Sequence, residues 1–432
     1  MSRPAGPLKV LLLLDQLPQD PASGAARTCQ TMCEYLAAAP GCFAVRALAT
    51  TATEKGQAVD ASALLAELGV RVQRRDEQDL AVLRFAQKGV AYTLLKTRVA
   101  HNAAWEGRDA PAFDRLFDQE LQDHRPDVVL TYGGHRNMVR RWRRARAVGA
   151  KIVFGLWNHG YLKNRRFFDE VDAVLTPSRF LTDTYQRRLG LDSTPLPSPL
   201  DLGDVVAPDR EPVFLTYVNP AIDKGVMFVA RFADVLARRR PDVPLMVVES
   251  RGTAGTLVAA GLNGGFDLRA HRNIVVSPGV PRPRDFFAVT RVLLAPSVWD
   301  EPSGRVASEA LVNGVPPIVS DRGGLAEECR GAGVVLPLPE NLTTDTRVPV
   351  APAAVEPWLD AALGLVDDQA RYAAASQRAR EVGKHYHPDA LARRYIDFFL
   401  GVAAGSPAAT QVGASAPPKT TKPLAGRDTR RA

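Results

Sequence analysis

Cysteine is scarce in this sequence: four residues, Cys29, Cys33, Cys42 and Cys329, in a chain of 432. None of them forms a CxxC pair or falls near a histidine cluster, so neither a zinc ribbon nor a dithiol redox motif is present. Cys29 and Cys33 are spaced to share one helix face, where they pack rather than hold a metal. Long hydrophobic runs are missing as well. The apolar "VLLLL" at 10–14 is stopped by Asp15, too short for a membrane span and without the small-residue cleavage site of a signal peptide. The expectation is a soluble, cytoplasmic protein. Neither an aromatic-rich sheet motif nor a helix-turn-helix pattern accompanies the basic residues, which argues against nucleic acid as a partner.

What is there is globular. Hydrophobic residues make up 46% and charged residues 24%, and a chain this long exceeds one compact core, so two domains are expected. The net charge of +8 is unevenly placed. Lys419, Lys422, Arg427, Arg430 and Arg431 face only Asp428 in a Pro-, Gly- and Ala-rich tail, 404–432, that reads as disordered. A second cluster is "RNMVRRWRRARAVGAK" at 136–151. It reads first as a solvated helix face, and second as a landing site for an anionic membrane or acceptor, with peripheral association at the inner membrane surface as the hypothesis.

Short apolar runs alternate with amphipathic stretches: "KVLLLL", "FAVRALAT", "GVRVQ", "DVVLTY", "KIVFGL" and "DAVLTP", then "VFLTYV", "LMVVES", "NIVVS", "RVLLAP", "PPIVS" and "AGVVLP". Continuous apolar strands separated by helices indicate parallel sheets covered on both faces. Between the two series, Pro-rich "TPLPSPLDLGDVVAPDREP" reads as a linker. The expected fold is α/β: a doubly wound domain at 1–195, a linker at 196–212, and a second doubly wound domain at 213–385. A C-terminal helix at 386–403 is expected to return to the first domain. Ligands of such sheets bind at the carboxyl ends of the strands.

The stretch "RVLLAPSVWDEPSGRVASEALVNGVPPIVSDRGG" is the most informative. It reads as a strand, a loop, a helix that Gly314 can end, a second strand and a Gly pair. The turn Ser303-Gly304-Arg305-Val306 would present unpaired N–H groups at a helix N-terminus, which suits an anion. Glu309 lies one and a half turns further on and points back. A carboxylate beside a phosphate repels it, so hydroxyls such as those of a ribose are its fitting partners. Glu301 would sit nearer the reacting end of the same ligand, a diphosphate between two hydroxyl-rich parts.

These residues resemble the Glu-x7-Glu signature of the retaining glycosyltransferases of family 4, which have the GT-B fold of two facing Rossmann-like domains. The resemblance extends to "VDAVLTPSRFLTDTYQRRLG", "TYVNPAIDKGVMFVARFADVLA" and "HRNIVVSPGV", and so over most of residues 8–400. It implies that Glu309 binds the donor ribose, that Glu301 lies by the donor sugar, and that the amides of Arg305 and Val306 reach the diphosphate. It implies that Lys224 in "DKG" holds the phosphates and stabilises the leaving group. His159 in "FGLWNHGYL" matches a histidine that meets the donor sugar, and His135 is a weaker candidate; a lone histidine is more often structural. "PQDPASGAARTCQ" resembles a Gly-rich loop over the phosphates, with Ser23 and Gly24 opening a helix. Contacts around "SPGVPRP" at 277–283, Val280 among them, would choose the base.

The sequence also departs from the family. Asn219 stands five residues before the lysine, where an arginine is usual, and Arg305 or Arg251 are the residues that could compensate. Ser303 replaces an aromatic, and the first loop has one glycine where a pair is common. The resemblance implies transfer of a sugar from a nucleoside diphosphate to an acceptor hydroxyl with retention, in glycan, glycolipid or glycoconjugate synthesis. Without a DxD motif, helix termini and Lys224 are expected to do the electrostatic work, with no metal and no cofactor beyond the nucleotide sugar. The alternatives are a nucleotide-sugar epimerase, a weakly active nucleotide-sugar-binding partner subunit, and a basic membrane or nucleic-acid module. Plainest of all is an α/β protein whose two glutamates merely solubilise a helix.

Overall fold

The computed structural model describes residues 6–20, 23–54, 60–77, 80–101, 106–134, 136–280 and 282–405. The tail from 406 onward and His135 lie outside the described residues.

Nine strands build the first sheet: β1 (Leu8–Leu13), β2 (Phe43–Thr50), β3 (Gln73–Glu77), β4 (Leu80–Gln87), β5 (Val90–Leu95), β6 (Val128–Thr131), β7 (Lys151–Gly155), β8 (Ala173–Thr176) and β9 (Thr194–Pro195). Their order is β3-β4-β5-β2-β1-β6-β7-β8-β9. From β5 through β9 the pairing is parallel, whereas β3–β4 and β4–β5 are antiparallel. The antiparallel edge differs from the all-parallel expectation and has a local cause. Lys88 and Gly89 take φ of 46° and 81°, the two positive values that a tight two-residue hairpin turn requires.

The second sheet is wholly parallel: β10 (Phe214–Val218), β11 (Leu245–Val248), β12 (Ile274–Ser277), β13 (Thr290–Ala295), β14 (Pro317–Ser320) and β15 (Val334–Leu336), in the order β12-β11-β10-β13-β14-β15. Strands β10, β13 and β14 are apolar nearly throughout and buried because helices cover both faces. Each sheet reverses its winding once, between β1 and β6 and between β10 and β13, and a crevice opens at the carboxyl ends there.

One helix ties the halves together. Pro388–Ala403 follows the second sheet in sequence, yet Leu391, Tyr395, Phe398, Phe399 and Val402 pack into the core of the first, with Leu8, Val10, Cys29, Met32 and Leu36. The Tyr395 hydroxyl donates to the Pro197 carbonyl at 2.7 Å. Cys29, Cys33 and Cys329 are buried and unbridged, as packing residues are. No helix among the described residues is long and apolar enough to cross a membrane.

Candidate functional site

The loops that follow β1, β6, β7, β10, β11 and β13 converge on one cleft of about 370 Å³ between the two sheets. Its second-domain wall is built from the Glu-x7-Glu stretch. Gly304 has φ 108° and precedes the helix Arg305–Val312. A side chain there would run into Leu325, so glycine is required both for conformation and for space. No side chain caps this helix, which leaves its first N–H groups facing the cleft. The Gly pair has a matching role. Gly323, at φ 65°, lies so close to the Glu301 backbone that no Cβ fits, and the Gly324 N–H donates to the Glu301 carbonyl at 2.7 Å. The loop that carries Glu301 is thus laid on a glycine floor.

Glu301 is buried. Its Oε1 accepts from Lys224 Nζ at 2.5 Å and from the Ser297 hydroxyl at 2.5 Å. Burial alone would raise its pKa, but the Lys224 ammonium and the hydrogen bonds outweigh it and hold the carboxyl below its ordinary value. Lys224 is placed by its own loop. Gly225, at φ 82°, abuts the Pro296 carbonyl too closely for a side chain. The Tyr217 hydroxyl also donates to the Lys224 carbonyl at 3.0 Å. The lysine head lies 5.6 Å from the centre of the Trp299 ring.

Glu309 is buried and paired within its own helix: Arg305 Nε donates to Glu309 Oε1 at 2.8 Å. The same guanidinium reaches across the cleft to the Thr28 hydroxyl at 3.2 Å and the Gly24 carbonyl at 3.4 Å. Gly24 opens the helix Gly24–Ala37, with Ser23 as its N-cap. Asn219 adopts φ 64°, a conformation asparagine tolerates better than most. Its side-chain oxygen accepts from the Gly252 N–H at 2.7 Å.

Of the residues named from the sequence, Gly24, Asn219, Lys224, Glu301, Ser303, Gly304, Arg305 and Val306 line this cleft. Glu309 stands behind Arg305. Val280 is partly buried against the Phe286, Phe287 and Met246 cluster and does not itself line the cleft. His159 sits at the rim. Its Nε2 lies 2.9 Å from the Asp300 carbonyl oxygen, a contact that requires the proton on Nε2, and its ring meets Trp299 edge-on at 5.8 Å. Trp157, Asn158, Tyr132, Glu54, Ser250, Arg251 and Trp299 also line the cleft. The sequence reading gave them no role in the cleft beyond Arg251 as a compensating charge. A tryptophan or asparagine at a strand end has no spacing that marks it, although position after a parallel strand was a usable signal.

Several contacts bridge the halves besides Arg305 and His159. The Ser178 hydroxyl donates to the Pro302 carbonyl, and Glu327 accepts from the Arg179 and Phe180 N–H groups at 2.8 and 2.9 Å. The arginine run is engaged elsewhere. Arg140 and Arg141 pair with Asp114, Arg143 with Glu170, Arg144 with Asp118, and Arg146 with Asp172.

No protein-family model matches the sequence, and no curated protein matches it. Solved structures do. Sucrose-phosphate synthase from Thermosynechococcus elongatus superposes with a TM-score of 0.62 at 16% identity, covering 92% of this chain and 100% of that one. HepE of Anabaena, in complex with UDP-glucose, gives 0.61 at 13%, covering 90% and 99%. The catalytic domain of starch synthase IV from Arabidopsis thaliana, bound to ADP and acarbose, gives 0.60 at 11%, covering 91% and 100%. At these identities the likeness is one of fold: the chain has the GT-B architecture of two facing Rossmann-like domains that these glycosyltransferases share.

Proposed function

We propose that this chain is a glycosyltransferase that moves a sugar, a hexose by expectation, from a nucleoside diphosphate to an acceptor hydroxyl with retention of anomeric configuration. The observation that carries the reading is the Lys224–Glu301 pair, 2.5 Å apart, beside the uncapped helix N-terminus at Gly304 in a cleft between two parallel sheets. The structural neighbours solved with UDP-glucose and with ADP support a nucleotide-sugar donor.

In this reading the donor diphosphate lies against the amides of residues 304–306, where the helix dipole and the open N–H groups favour negative charge. Lys224 faces the leaving phosphate and stabilises the charge that develops as the glycosidic bond breaks. Glu301 then has two tasks: it holds the ammonium in place while the cleft is empty, and it accepts a hydroxyl of the donor sugar when Lys224 turns to the phosphate. A carboxyl held ionised by a lysine and a serine is a poor general acid, which suits departure of the diphosphate without a protonating group. Retention follows if the acceptor hydroxyl arrives on the face that the diphosphate leaves. Glu309 is proposed to meet the ribose once Arg305 gives way, and His159 to close the rim over the sugar. A divalent ion is not required, because two sources of positive potential already face the diphosphate. Membrane docking through residues 140–146 is not part of the proposal, since those arginines are opposed by carboxylates.

Calorimetric titration with UDP, GDP, ADP and dTDP in EDTA tests the reading. One diphosphate is expected to bind wild type and to bind Glu309→Ala at least about tenfold more weakly. With the sugar nucleotide so identified, the anomer of the product read by NMR is expected to be that of the donor. Absence of binding by all four, or a requirement for Mg²⁺ or Mn²⁺, counts against it.

A further inference from the structure

Among the described residues three cations line the cleft: Lys224, Arg251 and Arg305. Their engagement differs. Lys224 is held at 2.5 Å by Glu301. Arg305 is held at 2.8 Å by Glu309 and is anchored to the opposite helix through Thr28. Among the described residues Arg251 makes only long contacts, 3.4 Å to Glu54 across the cleft and 3.8 Å to Asp223, and its side chain is 41% exposed. It is the most readily recruited positive charge in the cleft.

The backbone around Arg251 is fixed, although its head is loosely held. The Glu249 N–H donates to the Ser277 carbonyl at 2.9 Å, the Ser250 N–H to the Gly252 carbonyl at 3.0 Å, and the Ala254 N–H to the Glu249 carboxylate at 2.7 Å. On the other side, Gly252 lies so close to Pro220 that a Cβ would collide with it. Its N–H is the one that Asn219 accepts, and Asn219 is itself tied to the end of β11 through the Val248 carbonyl at 2.8 Å. The positive φ at Asn219 turns its side chain toward this turn. A guanidinium on a rigid base with weak partners is pre-organised to take a bidentate anion.

We infer that Arg251 is the cation that grips the donor diphosphate, leaving Glu54 and Asp223 to do so, and that Asn219 is a positioning residue that aims it through the Gly252 amide. The inference rests on the reading of the cleft as a nucleoside-diphosphate site. It adds to that reading a residue that acts on the diphosphate alone and not on the nucleoside.

The test compares each nucleoside diphosphate, by calorimetry, with its parent nucleoside, by ligand-observed NMR, for wild type, Arg251→Ala, Asn219→Gly and Glu54→Gln. Glycine at 219 keeps the positive φ and removes the carboxamide whose oxygen accepts from Gly252. Arg251→Ala is expected to weaken the diphosphate about 10- to 100-fold and to leave the nucleoside unchanged. Asn219→Gly is expected to lose part of the diphosphate affinity with nucleoside affinity intact, a split that a merely structural role would not produce. Glu54→Gln, which removes a competing carboxylate, is expected to strengthen the diphosphate. Diphosphate affinity unchanged in Arg251→Ala, with wild type binding normally, overturns the inference and spares the reading of the cleft. If wild type binds no diphosphate, the reading of the cleft fails and the inference falls with it.

Discussion

Glu328 is a single carboxyl with a consequence for the stability of the whole second domain. It is 3% exposed on the short helix Leu325–Cys329, and its Oε1 has no hydrogen-bond partner among the described residues. Burial pushes this carboxyl up to about 7; the nearby Ser308 hydroxyl opposes the rise and the neighbouring Glu327 charge adds to it. Between the ordinary glutamate value and about 7, the folded chain therefore carries a proton that the unfolded chain has lost. The stabilisation is complete below the ordinary value and is lost as pH rises through about 7. Glu328→Gln is expected to match wild type at pH 4 and to be more stable at pH 8 by up to about 3 kcal/mol, as urea denaturation at the two pH values would read. A parallel pH dependence in the variant would place the titration elsewhere. At this scale the sequence is legible wherever backbone geometry dictates the residue. Gly304 and Gly225 have positive φ and no room for a Cβ, and both fall where the motif put them. Side-chain pairing is a different matter. Arg305 carries the same charge whether it turns to a phosphate or to Glu309, and no spacing says which. His159 could equally have faced the cleft or the Asp300 carbonyl.

Elements were easier to read than their partners. Parallel strands are apolar on both faces, so their runs stood out, and helix starts at Gly24 and Arg305 follow from Ser23 and Gly304. The hairpin of β4 and β5 was not read, because "LAVLRFAQKGVAYTLL" is apolar enough to pass for one more buried run, and only Lys88-Gly89 marks the turn. The arginine-rich helix shows the same limit: its charge was visible, but its acidic partners lie at Asp114, Asp118, Glu170 and Asp172, remote in sequence. The helix Arg179–Leu189 contributes a second tie between the two halves. Its Ser178 cap serves the Leu181 N–H at 3.1 Å, and the Arg179 and Phe180 N–H groups are satisfied by Glu327 from the other domain. A carboxylate at a helix N-terminus is worth about 0.5–2 kcal/mol, and here that energy favours the observed arrangement of the two halves. Glu327→Ala is expected to enlarge the radius of gyration in small-angle scattering and, with the proposed transferase function, to raise the donor KM several-fold with kcat little changed. An unchanged scattering profile would mean that the other contacts between the halves hold this arrangement without Glu327.

The molecule as a whole is two doubly wound sheets held by a linker and by one helix that crosses back. That crossing sets a constraint on how the chain can be divided. Leu391, Tyr395, Phe398, Phe399 and Val402 follow the helical spacing of a buried stripe, and all five are buried in the first domain. At about 1.5–3 kcal/mol for each large apolar side chain removed from water, and with the burial discounted for a compact unfolded state, their loss is comparable to the whole of the roughly 5–15 kcal/mol by which an ordinary domain is stable. The covalent order of the chain therefore misstates its cooperative units. The first unit is expected to be residues 6–200 with 388–403, and the second the segment between them. A fragment ending at 200 is expected to be unfolded, with broad, poorly dispersed amide resonances, whereas the same fragment fused at its C-terminus through a flexible linker to residues 387–405 is expected to fold. The fusion needs a linker only long enough to replace the second domain, since loop length costs little once closure is possible. A well-folded fragment 6–200 without the helix would show that the first sheet's own core suffices, and that the crossing helix serves to orient the two halves across the cleft.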